Sequence, residues 1–203
     1  MKITLDQIKE LRTRTGAGVT AVKQALEESK GDTEKAIASL REKGIAKAAK
    51  RADKRANNGF IAHYIHGNGS MGVLLELNSE TDFAARSEEF QELARELAVH
   101  VAAMDPEYIA IEHVPPEVIE KEVEIAKKSV DKGKPDEVVN KIVEGKLEKF
   151  YKEVVLLEQA YVKDDSKQVK DLLNEALAAI GEKIEVGRFC RFKIAGSATA
   201  CNL

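Results

Sequence analysis

Two apolar runs, Phe60-Ile61-Ala62-His63-Tyr64-Ile65-His66 and Met71-Gly72-Val73-Leu74-Leu75-Glu76-Leu77, flank the tetrapeptide Gly67-Asn68-Gly69-Ser70. Runs rich in β-branched, aromatic and aliphatic residues separated by Asn-Gly specify a β-hairpin, because Asn and Gly accept the positive φ that tight hairpin turns require. Apolar periodicity then places helices at about 87–104, 116–132 and 136–150 and from about 167 to 180, with Pro106, Pro115-Pro116 and Pro135 as punctuation. Ile184 to Ile194 closes as a strand, with Ile184, Val186, Cys190, Phe192 and Ile194 expected on one face. Val154 to Leu157 reads equally as a buried strand or as the tail of a helix. The expected body is a small antiparallel sheet with helices packed against it, an α+β fold.

Upstream of Gly59 the pattern is helical. Thr4 caps a first helix bearing Leu5, Ile8 and Leu11, with Gln7 placed for a capping box. Thr15-Gly16-Ala17-Gly18 breaks it. Val19, Val22, Ala25 and Leu26 follow helical spacing as far as Gly31, and Asp32 or Thr33 opens a third helix with Ala36, Ile37 and Leu40, expected to stop at Gly44. The chain thus divides into a three-helix module at 1–43, a basic helical linker at 44–58 and an α+β core domain at 59–203. Lys47, Lys50, Arg51, Lys54 and Arg55 spread around the linker and leave it no apolar face wide enough for a core.

Residues 1–58 hold 14 Lys and Arg against 8 Asp and Glu, a net +6 within a chain whose total is −3. A basic module on an acidic body is either a solvated helical face or a surface for an acidic partner. A hydrophobic content of 43% with 33% charged residues describes a globular protein with a charged surface. No run approaches the ~18 apolar residues of a membrane span, and Met1 to Asp6 has no signal-peptide character. Cys190 and Cys201 lack CxxC spacing, which points to a reducing compartment, the cytoplasm, and no disulfide framework.

The motifs do not argue for catalysis. Gly16-Ala17-Gly18 follows no strand and lacks the third glycine or Lys-Ser/Thr of the phosphate-binding fingerprints, so it reads as an inter-helix turn. His63 and His66 point to opposite faces of a strand, and neither they nor His100 and His113 have a recognised zinc spacing. Asn68-Gly69-Ser70 is a turn. Cys190 reads as a core residue. The basic stretch from Arg41 to Arg55 has no aromatic interleaved for base stacking, so direct nucleic-acid binding is not expected. Neither a cofactor nor a metal is expected.

One stretch remains. After the apolar run ends in Asn78-Ser79-Glu80, Thr81 and Asp82 offer N-cap chemistry for a helix carrying Phe90, Leu93, Leu97 and Val101. Phe83 sits between strand end and helix body, in a chain without tryptophan. The residues allow two readings: a core aromatic locking the helix start, or a probe pressed into another protein.

Leu11 to Val19, Lys23-Gln24-Ala25-Leu26, Gly31 to Ile37, Glu76 to Arg86, His100-Val101-Ala102-Ala103 with Pro106, Glu144-Gly145-Lys146 with Lys149-Phe150, and Leu156 to Gln159 together resemble the elongation factor Ts family. The resemblance runs in order from residue 5 to about 195. It implies a guanine nucleotide exchange factor, not an enzyme of bond chemistry, for elongation factor Tu, the GTPase that carries aminoacyl-tRNA to the ribosome. It implies a ubiquitin-associated-like fold for the three-helix module, with Arg12 and the turn Thr15, Gly16, Ala17, Gly18 and Val19 on the partner's GTPase domain. Thr81, Asp82, Phe83 and Ala84 match the segment that dislocates the partner's Mg²⁺, and His100 matches a further partner-facing position. The expected partner is elongation factor Tu, GDP-bound and nucleotide-free, with no membrane. Three positions depart from the family's frequent residues: Ala84 where valine is common, Ser87 where asparagine is, and Ala160 where proline is. Longer relatives carry further elements, so exposed sheet edges in a short core leave a homodimer open.

Overall fold

The structure is a computed structural model. It describes residues 3–51, 53–130 and 135–194, without the side chains at 45 and 47–49.

Helices α1 (Leu5–Thr15), α2 (Val19–Glu28) and α3 (Thr33–Arg51) open the chain. Their ends follow from local chemistry. The Thr4 hydroxyl accepts the Gln7 N–H while the Thr4 N–H donates to Gln7 Oε1, the reciprocal capping box. Gly16 turns into the left-handed region (φ 65°) and returns its N–H to the Arg12 carbonyl, which ends α1. Asp32 Oδ1 accepts the Lys35 N–H at the start of α3. Leu11, Ala17, Val22, Ala25, Leu26, Ala36 and Leu40 close a core between the three helices.

The third helix does not stop at Gly44; it continues to Arg51. Gly44 is buried, and a Cβ there would lie 3.7 Å from the Asn174 carbonyl and 3.9 Å from Ala178 Cβ. The glycine marks a close approach to helix α8 (Val169–Ile180), a tertiary cause that local propensity cannot display. The Lys47 side chain of the basic stretch lies outside the described residues.

The hairpin forms as expected from β1 (Asn58–His66) and β2 (Met71–Ser79). Gly67, Asn68 and Gly69 all take positive φ, and the Ser70 N–H closes the turn on the Gly67 carbonyl at 3.1 Å. Besides α8, the remaining elements are α4 (Asp82–Ala85), α5 (Glu88–Met104), α6 (Pro116–Lys128), α7 (Asp136–Val154), β3 (Ala160–Tyr161), β4 (Asp164–Gln168) and β5 (Ile184–Lys193), with short 3-10 helices at Ile111–His113 and Leu156–Glu158. The main sheet has the order β1-β2-β5, and β3 pairs antiparallel with β4 in a second, two-stranded sheet. The fold is α+β.

Several details differ from the sequence expectation. The separate α4 precedes α5. Val154 is the tail of α7, whereas Val155 forms a parallel bridge with Tyr108. The β3–β4 sheet, short and polar on β4, carries no apolar alternation by which a sequence would reveal it, and Lys167 falls in β4 rather than in a helix. Residues 131 and 132 of the expected helix lie outside the described ones.

Strand β5 departs most. Ile184, Val186, Phe189 and Arg191 are buried, while Gly187 and Arg188 are both exposed. Two outward residues in succession shift the alternation by one position, so Phe192 and Ile194 emerge on the open face. Cys190 is only half-buried beside them and is disulfide-bonded, which corrects both the expected core placement and the expectation of no disulfide; Cys201 lies outside the described residues.

The chain forms two compact units, one of residues 1–63, 75–96 and 170–187, the other of 64–74, 97–169 and 188–203. In the first, Leu75, Leu77, Phe90, Ala94, Leu173, Leu177, Ile184 and Val186 are buried in addition to the three-helix core. In the second, Val73, Leu97, Val101, Ile109, Val155, Leu156, Val169 and Phe189 are buried. There Arg191 donates through Nε and Nη2 to the Ala102 carbonyl at the end of α5 and pairs with Asp105 at 2.8 Å. No described helix is long and apolar enough to cross a membrane.

Candidate functional site

Phe83 is 85% exposed, so the core-aromatic reading is set aside; Phe90, one helical element later, fills that role. The local sequence explains the placement. A helix of four residues cannot turn every side chain inward, and Ala84 and Ala85, small and apolar, take the buried positions. Asp82 and Phe83 are left facing solvent. The next turn is broken by Ser87, whose hydroxyl donates to the Ala84 carbonyl at 2.8 Å and accepts the Phe90 N–H at 3.3 Å, capping α5.

Thr81 is the N-cap of α4 and accepts the Ala84 N–H on its hydroxyl. That hydroxyl donates to Glu182 Oε1 at 2.8 Å, and the Thr81 N–H donates to Glu182 Oε2 at 3.0 Å. One residue earlier, Glu80 Oε1 accepts the Lys183 N–H at 2.7 Å and pairs with the Arg51 guanidinium at the end of α3. These contacts, the Lys183 N–H foremost and Arg51 next, hold the Glu80 carboxyl below the usual carboxylate range. Asn58 Nδ2 donates to the Glu80 carbonyl and Ser79 Oγ to the Thr81 carbonyl, both at 2.8 Å. A heavily bonded base therefore presents an unburied aromatic ring. Asp82 pairs with Arg86 at 3.2 Å, but both side chains are exposed and such pairs are weak.

The N-terminal turn splits by burial. Arg12, Gly16, Gly18 and Val19 are exposed, while Thr15 and Ala17 are buried. The Thr15 hydroxyl donates to the Leu11 carbonyl at 2.6 Å and accepts the Ala17 N–H at 3.3 Å, which fixes the turn from inside. A Cβ on Gly16 would lie 3.7 Å from Ala179 Cβ, so the turn also rests on α8.

His100 belongs to the second unit and is fully buried. Its Nδ1 accepts the Val162 N–H at 3.2 Å, which leaves the ring proton on Nε2, 3.0 Å from Gln159 Oε1. Gln159 Nε2 donates in turn to the Glu153 carbonyl at 2.7 Å and the Met104 carbonyl at 3.3 Å. Burial pushes the His100 pKa down, with the Gln159 bond opposing it. His100 thus touches no solvent; it holds Val162, which is exposed in the turn between β3 and β4.

Among the described residues no group of three or more His, Cys, Asp or Glu is placed to hold a metal ion. Sequence reasoning singled out Thr81 to Ala84 but gave no bracing role to Glu80, Arg51, Gln159 or Glu182. Glu182 lies 101 residues from Thr81, and no local signal in the sequence links them.

A family model described as elongation factor TS matches residues 4–196. A curated relative, elongation factor Ts of Thermotoga neapolitana, is 56% identical over 194 residues, covering 96% of this chain and 98% of its own. Those of Acetivibrio thermocellus and Coprothermobacter proteolyticus are each 53% identical, covering 94% and 96% of this chain and 89% and 99% of their own.

Proposed function

The chain belongs to the elongation factor Ts family and is an elongation factor of protein biosynthesis; from that premise we propose that it is the guanine nucleotide exchange factor of elongation factor Tu. It binds the GDP complex, displaces Mg²⁺ and promotes GDP release so that GTP can bind, making and breaking no covalent bond. Its place of work is the cytoplasm, read from the family's part in protein biosynthesis and not from the cysteines, since Cys190 is disulfide-bonded. The observation that carries this reading is the exposed Phe83 on its anchored turn.

In such GTPases Mg²⁺ is held by a P-loop hydroxyl and an aspartate and neutralises phosphate charge. A buried aromatic covers about 150–250 Å². Buried at the centre of an interface, such a ring is an anchor worth ~2 kcal/mol, which offsets part of the cost of displacing the elements that place the ion. Phe83 is the wedge, Asp82 brings a carboxylate beside it, Thr81 anchors it and Ala84 seats it in the fold. With Mg²⁺ lost, the phosphate charge is less compensated and GDP leaves faster. The factor must bind nucleotide-free elongation factor Tu more tightly than the GDP complex, and nucleotide must weaken factor binding by the same ratio.

Residues 1–43 dock on the GTPase domain through Arg12, Gly16, Gly18 and Val19, with Thr15 and Ala17 shaping the turn from within. Residues 44–58 serve as the basic linker and 59–203 as the core. His100 contributes through the exposed Val162 that it positions. In the second unit Ile65, Leu74 and Phe192 are exposed on strand positions opposite the buried ones, with Ile194 exposed just past the end of β5, and this apolar face supports a homodimer. Sedimentation of a monomer at micromolar concentration contradicts the dimer.

The exchange reading is tested by release of a fluorescent GDP analogue from elongation factor Tu with and without this protein. Strong acceleration supports it, and unchanged release with a cognate partner removes it.

A further inference from the structure

The turn that carries Phe83 is tied to the turn that ends α8 by two carboxylates acting in opposite directions. Glu80, on the first turn, accepts the backbone N–H of Lys183. Glu182, on the second, accepts the backbone N–H and the hydroxyl of Thr81. Each segment therefore supplies the acceptor for its neighbour's main chain, and all four residues lie in the first compact unit.

The two arms are not equivalent. Glu80 has other anchors, in Arg51 on its side chain and Asn58 on its carbonyl. It would be held near its place without Lys183. Glu182 carries a different load. Both its oxygens go to the one residue that caps α4, and the hydroxyl it accepts from is the same one that receives the Ala84 N–H. That bidentate grip fixes the Thr81 rotamer, the rotamer supports the cap, and the cap defines the first turn on which Phe83 stands. The grip is itself well aimed. Gly181 ends α8 in the left-handed region (φ 88°), with its N–H on the Leu177 carbonyl at 2.8 Å, so the backbone leading into Glu182 is set by the helix end.

We infer that Glu182 is a positioning residue for nucleotide exchange: it presets the Thr81 cap so that the Phe83 ring meets the partner already oriented. The inference rests on the exchange reading above. A four-residue helix has no cooperative stability of its own, and an exposed ring on a free turn would have to be ordered at the moment of binding. Glu182 removes that cost beforehand. It touches neither nucleotide nor ion, and its effect passes entirely through Thr81 and Phe83.

The test compares GDP release from elongation factor Tu, at subsaturating factor, for the wild type, Glu182→Ala, Glu182→Gln, Phe83→Ala and the double variant Glu182→Ala/Phe83→Ala, with thermal unfolding of each. Glu182→Ala is expected to slow exchange about tenfold. Glu182→Gln, which keeps one acceptor for the threonine hydroxyl, falls between it and the wild type. The double variant is expected to be no slower than Phe83→Ala alone, because the brace has nothing left to position. A merely structural role would instead multiply the two losses, and that outcome overturns the inference. So does exchange by Glu182→Ala at the wild-type rate. Should Glu182→Ala not fold, Glu182→Gln carries the comparison, and wild-type speed in that variant is equally decisive. A wild type that fails to accelerate release removes the exchange reading itself, and the role of Glu182 with it, so the two failures are told apart by the control.

Discussion

His100 and Gln159, 59 residues apart in the chain, face each other at 3.0 Å with no solvent around either side chain. Both ring nitrogens are engaged, one by a side-chain oxygen and one by the Val162 N–H. A second ring proton on Nδ1 would meet that N–H head-on. Burial and geometry therefore both favour the neutral ring, and the folded-state pKa lies below its ordinary 6.5.

The sign of the pH dependence follows. Above pH 6.5 the ring is neutral in folded and unfolded chains alike, and His100 leaves stability unchanged. As pH falls below 6.5 the unfolded chain binds a proton that the folded chain refuses, so stability declines until the folded pKa is reached. The slope from this one group is at most about 1.4 kcal/mol per pH unit. Urea unfolding from pH 8 to pH 5, with NMR titration of the His100 ring, checks it. A ring that titrates at its ordinary pKa in the folded protein contradicts the account.

Two glycines in regular structure should respond oppositely to alanine. A Cβ on Gly59 would run into the Leu77 carbonyl, a backbone atom with little room to yield, and into Asn78 Oδ1, so Gly59→Ala should destabilise by about 1–3 kcal/mol. Gly145 lies inside α7 with nothing within 4 Å of the added atom. Gly145→Ala should stabilise by roughly 0.5–1 kcal/mol through helix propensity alone. Denaturant midpoints of the two variants decide both.

Arg191 closes the carbonyl end of α5 from a buried position and pairs with the half-exposed Asp105. Arg191→Met keeps much of the volume but leaves the Ala102 carbonyl without those donors. The expected loss is about 1–3 kcal/mol. Asp105→Asn, at the wetter end of the pair, should cost less. Equal losses in the two variants would show that the ion pair, not the carbonyl contact, dominates.

What the sequence made legible was local. Thr4 with Gln7 marked the first helix, Gly16 and Gly31 marked stops, and Asn68-Gly69 marked the hairpin, because each acts within a few residues of itself. Gly44 misled, since its reason is the nearness of Asn174 and Ala178 across the fold. The face of Phe192 and Ile194 was misread because the slip at Gly187-Arg188 leaves no mark in a hydrophobic pattern. The same division holds at the site. Thr81 to Phe83 stood out by cap chemistry and a conspicuous ring, whereas Glu182 and Gln159, reaching across long stretches of chain, had no local signature.

The central claim is that Phe83 is the part of this chain that loosens nucleotide. Being 85% exposed, it contributes little to folding, so Phe83→Ala should keep the wild-type unfolding temperature. Stopped-flow release of a fluorescent GDP analogue from elongation factor Tu at subsaturating factor measures the claim directly. Loss of an anchor worth ~2 kcal/mol predicts exchange about 30-fold slower than with the wild type. Release by the folded Phe83→Ala variant at the wild-type rate would contradict the account and move the mechanism to Asp82 or to the N-terminal module.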